Sequence, residues 1–363
     1  GLKFGIVNSM LETLVDNPRN REIRPAGSGH FEPGWFEAMR AREDVGFVIP
    51  RTRNLAATIK LTSERSRRII SGELVPTGAG DPLLHTASRI PRGLREVVLS
   101  EEAAEKLEVQ AGDIVRGSIT RQFRGARERA ELALQVLDVV PAGLFGRVGA
   151  FVSLELLVAA ENYRDGRAVP DLGLSGDEPH VGDRAFPGYR LYAESIYDVP
   201  GLQEFMMEQG WEVRTNAADI ETVLAMDRNL STVFWIIAIV GLMGFSLSLG
   251  ASLWANVDRK RRELSVLRLV GFRSGSIVAF PALQALFTGV LGWTVAVILY
   301  LITEQAINRL LSPHLADSQR VCYLLPEHFL GALGITLGAA LLAALLGGVR
   351  AARIEPSEGL RDV

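Results

Sequence analysis

From Asn229 to Val257 the chain carries no charged residue. A helix needs roughly 20 apolar residues to cross a hydrocarbon core of about 30 Å, and this run exceeds that length. It ends in Asp258-Arg259-Lys260-Arg261-Arg262-Glu263, and the chain then turns apolar again from Ser274 to Thr303 and from Phe329 to Val349. A short charged segment between two such runs is the tight turn of a membrane hairpin. The chain therefore contains an α-helical membrane bundle with three visible spans.

Charge orients it. Residues 258–273 hold six basic and two acidic residues, whereas 304–328 hold two basic and three acidic. The tail after Val349 adds Arg350, Arg353 and Arg361. Cytoplasmic loops are enriched in Lys and Arg, which assigns 258–273 and the tail 350–363 to the cytoplasm. The large region 19–226 and the loop 304–328 then lie outside. Export of so large a region needs an earlier hydrophobic segment, so a first span upstream of Gly1 is expected, giving four. Gly1 to Val15, with Phe4, Val7, Leu11 and Leu14 on one side, reads as a helix continuing from that span over 1–18.

The region before Asn229 reads as mixed α and β. Strand signals occur at 45–49, 55–61, 97–99, 114–120, 132–140, 150–153, 190–194 and 211–214. Ser100 is placed to cap a helix whose first turn carries Glu101 and Glu102, where carboxylates suit the dipole. Further helices are expected at 154–162 and 199–209. The strand, helix and strand over 190–214 fit a βαβ or split βαβ unit. Gly72 to Gly93 reads as a long loop. Asp165 to Gly188, full of Gly, Pro and Asp, is either a flexible insertion or a binding loop. Asn216 can cap the next helix. No Gly or Pro follows it before Gly241, so one rod of roughly 60 Å is expected from Asn216 to Val257.

Small residues recur at helical spacing in the apolar runs: Gly244, Ser248 and Ser252; Thr288, Gly292 and Ala296; Gly334 and Gly338. Such ladders let helices approach closely in lipid, within one chain or between subunits. Pro281 is expected to kink the second run.

Catalytic signatures are missing. The only lysines are Lys3, Lys60, Lys106 and Lys260, and none follows a glycine, so no P-loop can form in this chain. The five histidines are scattered and there is one cysteine, Cys322, which argues against a metal site or an internal disulfide. No Gly-x-Ser-x-Gly elbow occurs. The apolar runs read as lacking paired polar residues, which disfavours an intramembrane enzyme. A net charge of -3 gives no reason to expect nucleic acid.

Within 258–273, Leu264, Leu267 and Val270 recur at helical spacing among Arg262, Glu263 and Arg268, which fits a short amphipathic helix at the membrane face. The stretch Arg261-Arg262-Glu263-Leu264-Ser265-Val266-Leu267-Arg268-Leu269-Val270-Gly271 resembles the signature of FtsX-like permeases, R-x-E-h-x-h-x-[RK]-x-x-G with h apolar. These are the membrane subunits of the MacB, LolC/LolE and FtsX group of ABC systems. The tail from Ala351 to Arg361 resembles the family ending, departing at Gly359 where Ala is usual. Val97 to Val115 resembles part of the family's outside domain.

The resemblance implies an α+β extracytoplasmic domain of MacB/LolC type, with porter-like and Sabre-like parts, in a bacterial inner membrane protein. It implies a second permease subunit and a separate cytoplasmic ABC ATPase that binds ATP and Mg. The permease chain itself binds no cofactor. Coupling to the ATPase would run through Arg261, Arg262, Glu263, Leu264, Leu267, Arg268 and Gly271. The outside domain would hand over a periplasmic or membrane-derived substrate such as a lipoprotein, with an accessory protein as a further partner. Alternatively it would signal to a cell-wall hydrolase or a secretion system without transport.

Overall fold

The computed structural model describes residues 2–53, 57–178, 182–260, 262–263, 266, 270, 274–311 and 322–352. They divide into two compact units, 12–222, and 1–11 with 223–363. In order, the chain runs α1 (Leu2–Asp16), β1 (Glu22–Pro25), α2 (Pro33–Arg40), β2 (Val45–Arg51), β3 (Thr58–Ser63), β4 (Ile69–Thr77) and β5 (Glu96–Ser100). It continues through α3 (Glu101–Leu107), β6 (Ile114–Phe123), β7 (Ala126–Val140), β8 (Gly149–Ser153), α4 (Leu154–Arg164), β9 (Gly188–Ala193), α5 (Val199–Glu208) and β10 (Val213–Arg214). Three long helices follow: α6 (Ala217–Arg259), α7 (Ser274–Leu311) and α8 (Pro326–Ala352).

The first unit has two β structures. The smaller is a four-stranded sheet in the order β10-β1-β9-β2. β9 and β10 both pair antiparallel with β1, which lies between them, so β9-α5-β10 is the split form of the two topologies open from sequence. An aromatic cluster of Phe31, Trp35, Phe36 and Tyr189 joins α2 to this sheet.

The larger structure is a closed six-stranded barrel, β3-β4-β8-β5-β7-β6. Inward residues alternate along its strands: Leu132, Leu134 and Val136 are buried while Glu131, Ala133 and Gln135 are exposed. Leu107 of α3 and Leu156 of α4 join the same core. β6 and β7 form a hairpin whose two-residue turn, Arg124 and Gly125, has positive φ at both positions (49° and 83°), the geometry that matches strand twist. Ser100 does cap α3, accepting from the Ala103 amide at 3.3 Å, and its hydroxyl also accepts from Gly149 N at 3.0 Å.

Two loop expectations need correction. Gly72 to Thr77, expected within a loop, lies in β4. Beyond Glu73 this strand pairs with β8 alone, so the missing amide of Pro76 falls where no second ladder needs it. Asp165 to Gly188 is not a loose insertion over its described residues. Ala168 N donates to Asp177 O, Asp177 N to Gly166 O, and Phe186 pairs with Phe31. The buried Arg121 guanidinium donates to Ser175 O at 2.7 Å and to Tyr163 O at 3.4 Å.

In the second unit α6 is one helix of 43 residues. Its entry differs in detail from expectation. Thr215 Oγ1 accepts from Ala217 N at 3.1 Å, while the Asn216 amide turns to Asn20 Oδ1 at 2.9 Å. α7 contains Pro281 and runs on to Leu311, eight residues past the expected end of the span at Thr303. Residues 312–321 of the expected loop lie outside the described set. All three helices are long and apolar enough to cross a membrane. From Asn229 to Val257 α6 carries no charge, with Phe234 and Trp235 each 59% exposed, as expected for a helix whose solvent is lipid.

Candidate functional site

The elbow after α6 is built from the helix ends that flank it. α6 extends to the edge of the charged turn, and the Lys260 amide still donates to Asn256 O at 3.1 Å. Asn256 and Gln284 hydrogen-bond across α6 and α7 at 2.8 Å. One turn further, the Lys260 ammonium sits 5.3 Å from the centre of the Phe280 ring, within cation–π range. Both contacts fall beside Pro281, whose ring cannot donate to the turn before it. The end of α6 is thus fixed to the start of the next span through polar contacts.

Arg262, Glu263 and Val266 are helical and exposed, and Val270 N donates to Val266 O at 3.1 Å. Arg261, Leu264, Leu267, Arg268 and Gly271 lie outside the described residues.

Asn256 and Gln284 correct the expectation that the apolar runs hold no paired polar residues. The signal was present as two amide side chains in apolar surroundings, but 28 positions apart. Two amides in lipid stabilise each other by pairing. They offer no nucleophile or proton donor of useful pKa.

The small-residue ladders sit apart from the helix contacts within this chain. At Gly244, Gly292, Gly334 and Gly338 a Cβ would meet nothing within 4 Å, and Ser248 is exposed. Close approach happens one turn away. A Cβ at Gly289 would lie 3.5 Å from Ala340 Cβ and 3.6 Å from Leu337. Leu249 and Leu253 of α6 join Ala285, Ala340, Ala343 and Ala344 in one buried cluster. Trp293 Nε1 donates to Phe329 O at 3.1 Å, and Asn308 exchanges two bonds of 2.9 Å with the backbone of Cys322.

In the first unit a buried charge pair joins sheet to barrel. Arg190 of β9 donates to Asp81 Oδ2 at 2.7 Å and Oδ1 at 3.1 Å. Thr77 Oγ1 adds a bond to Asp81 at 2.7 Å. Phe47, Phe151 and Tyr192 surround the guanidinium. Burial alone would lower the Arg190 pKa, and the Asp81 carboxylate, with Tyr192, outweighs it, so the group stays charged. Burial pushes the Tyr192 phenol up to about 12 despite the opposing Arg190 charge. Nothing in the sequence marked this pair, because 109 residues separate its members. Among the described residues no group of three His, Cys, Asp or Glu could hold a metal ion.

The FtsX-like permease C-terminal family model matches residues 235–356, which contain the elbow and most of α6 to α8. The lipoprotein-releasing system transmembrane protein LolC of Haemophilus influenzae is 22% identical over 318 residues, 84% of this chain and 76% of that protein. Residues 235–356 form an FtsX-like permease domain, and the chain as a whole is similar to an ABC transporter permease of the FtsX/LolC type. Its likeness to the LolC protein is too long to be confined to the membrane helices and extends into the sheet and barrel. Permeases of this type are in general non-catalytic membrane subunits.

Proposed function

We propose that this permease passes the motion of a separate cytoplasmic ATPase to its soluble unit. The elbow 258–273 receives the ATPase, and α6 carries the displacement to an extracytoplasmic domain in a bacterial inner membrane. That domain then releases or hands over a membrane-derived substrate, of which a lipoprotein is the leading class. The observation that carries this reading is the continuity of α6 over 43 residues. A helix with every i to i−4 bond intact spans roughly 65 Å and moves as a unit. The Asn256–Gln284 and Lys260–Phe280 contacts support it further, since they make the elbow end of the rod move with α7. Pairing of two permeases is general in the family. The exposed faces carrying Gly244, Gly292, Gly334 and Gly338 are suited to that pairing.

The test replaces the elbow's polar and apolar contacts together, Glu263→Ala with Leu267→Asp, in the intact protein. Co-purification with the ATPase from native membrane is expected to fall at least tenfold while the permease itself still reaches the membrane. Retained ATPase binding and retained function would remove the elbow from the mechanism.

A further inference from the structure

Two cavities of about 220 and 530 Å³ open beside the junction of sheet and barrel, and Glu22, Arg24, Arg51 and Arg147 belong to the walls of both. Arg19 closes the smaller one. Arg53, in the wall of the larger one, is paired with Glu161 and Asp165. Among the described residues, four further guanidinium groups, of Arg19, Arg24, Arg51 and Arg147, face two lining carboxylates, of Glu22 and Glu73. Arg24 is spent on Glu22 at 2.7 Å. Arg51 and Arg147 share Glu73, the first by a short hydrogen bond and the second at 3.3 Å. Arg19 donates its Nε to a neutral carbonyl, Leu144 O, at 3.0 Å. Arg190, deeper in the wall, is already neutralised by Asp81. Among the described residues, two positive charges remain uncompensated at one cleft.

The cleft also holds polar atoms that the fold leaves unused. Arg51 Nε, Thr52 Oγ1 and Tyr189 OH are all buried without a hydrogen-bond partner among the described residues, and all three residues line the larger cavity. Buried polar groups are paired in the great majority of native structures, so three orphans on one wall point to a ligand surface. The planar guanidinium fork matches the oxygens of a phosphate. A monocarboxylate would leave one charge over, whereas a phosphomonoester dianion matches the excess of two. The larger cavity, walled by Pro25, Pro187 and Tyr189, lies in the size range of organic ligand pockets.

We propose that this cleft binds an organic phosphomonoester. Arg51, Arg147 and Arg19 hold the phosphoryl group, and the organic part lies against Thr52 and Tyr189. The inference is independent of the elbow's role, since it concerns the soluble unit alone. A phosphomonoester could arrive as a free metabolite or as the headgroup of a phosphatidic-acid-like lipid.

Isothermal titration calorimetry on the full-length permease in detergent at low salt separates the cases, with glycerol 3-phosphate and dihexanoyl phosphatidic acid as probes and glycerol as control. Binding of the soluble probe, the lipid probe or both supports the site and names its source, provided two variants move affinity in opposite directions. Arg147→Gln, at an exposed side chain whose loss does not threaten folding, is expected to weaken binding about tenfold, as for one charge-assisted hydrogen bond. Glu73→Gln releases both arginines and is expected to tighten it. Arg129→Gln, on the barrel hairpin, controls for general charge and should change nothing. No binding of either probe, or equal losses in Arg147→Gln and Arg129→Gln, would overturn the proposal.

Discussion

At the scale of single residues, the fold is held by a few charged groups that the sequence does not flag. Removing Arg190 strands the Asp81 carboxylate in an apolar wall, and breaking a buried pair of this kind costs about 3–5 kcal/mol. Arg190→Met should therefore lower the denaturation midpoint strongly, and Asp81→Asn less, in chemical unfolding of the purified protein. Gly176 is an uncharged position that the sequence does not flag either. A Cβ there would lie 2.4 Å from the Arg167 carbonyl carbon and 2.5 Å from Ala168 N. Gly176→Ala should release the 165–177 loop, seen as faster hydrogen exchange at Ala168 and Asp177, whose amides close it. Glu96 gives a pH prediction. Its carboxylate accepts from Arg92 N at 2.8 Å and Gly93 N at 3.1 Å, and those backbone bonds lower its pKa. A folded pKa below the unfolded one stabilises at pH values above the unfolded value of about 4.3. That contribution is lost as pH falls through the lower, folded value. Exchange protection at Arg92 and Gly93 should follow this acid-side loss, and Glu96→Gln should abolish the dependence.

At the scale of elements, legibility followed the range of the signal. The three apolar runs, the Ser100 cap and the uninterrupted stretch after Asn216 are local patterns, and each became the element expected of it. The barrel was not legible, because its closure depends on β3 meeting β6 and on parallel pairing of β4 with β8 and of β5 with β7. Those registers join distant strands and leave no periodic trace. Gly72 and Pro76 read as loop residues, although one-sided pairing beyond Glu73 accommodates Pro76. Beside the charged turn, most of which lies outside the described residues, the Asn256–Gln284 bond was not legible. That bond carries its own prediction. Gln284→Leu removes it and leaves Asn256 unpaired in lipid, at a cost of about 1 kcal/mol. The coupling of α6 to α7 should weaken, read as reduced ATPase stimulation by the permease with the permease still assembled.

At the scale of the whole molecule, the barrel-and-sheet unit and the membrane unit share one helix, α6. Transport through a channel is not required of such a chain. The proposed mechanism requires instead that α6 stay rigid where it leaves the bilayer. Met226 lies in α6 just before the apolar run begins at Asn229. Proline there removes one helical hydrogen bond and clashes with the preceding turn, which breaks or kinks the rod. The decisive measurement is a pulsed EPR distance between two copies of a spin label at Arg129→Cys, in a Cys322→Ser background, with the ATPase bound. The account predicts that the distance shifts between nucleotide-free and ATP-trapped states, and that Met226→Pro abolishes the shift while ATP is still hydrolysed. A shift of the same size with the helix broken would contradict it.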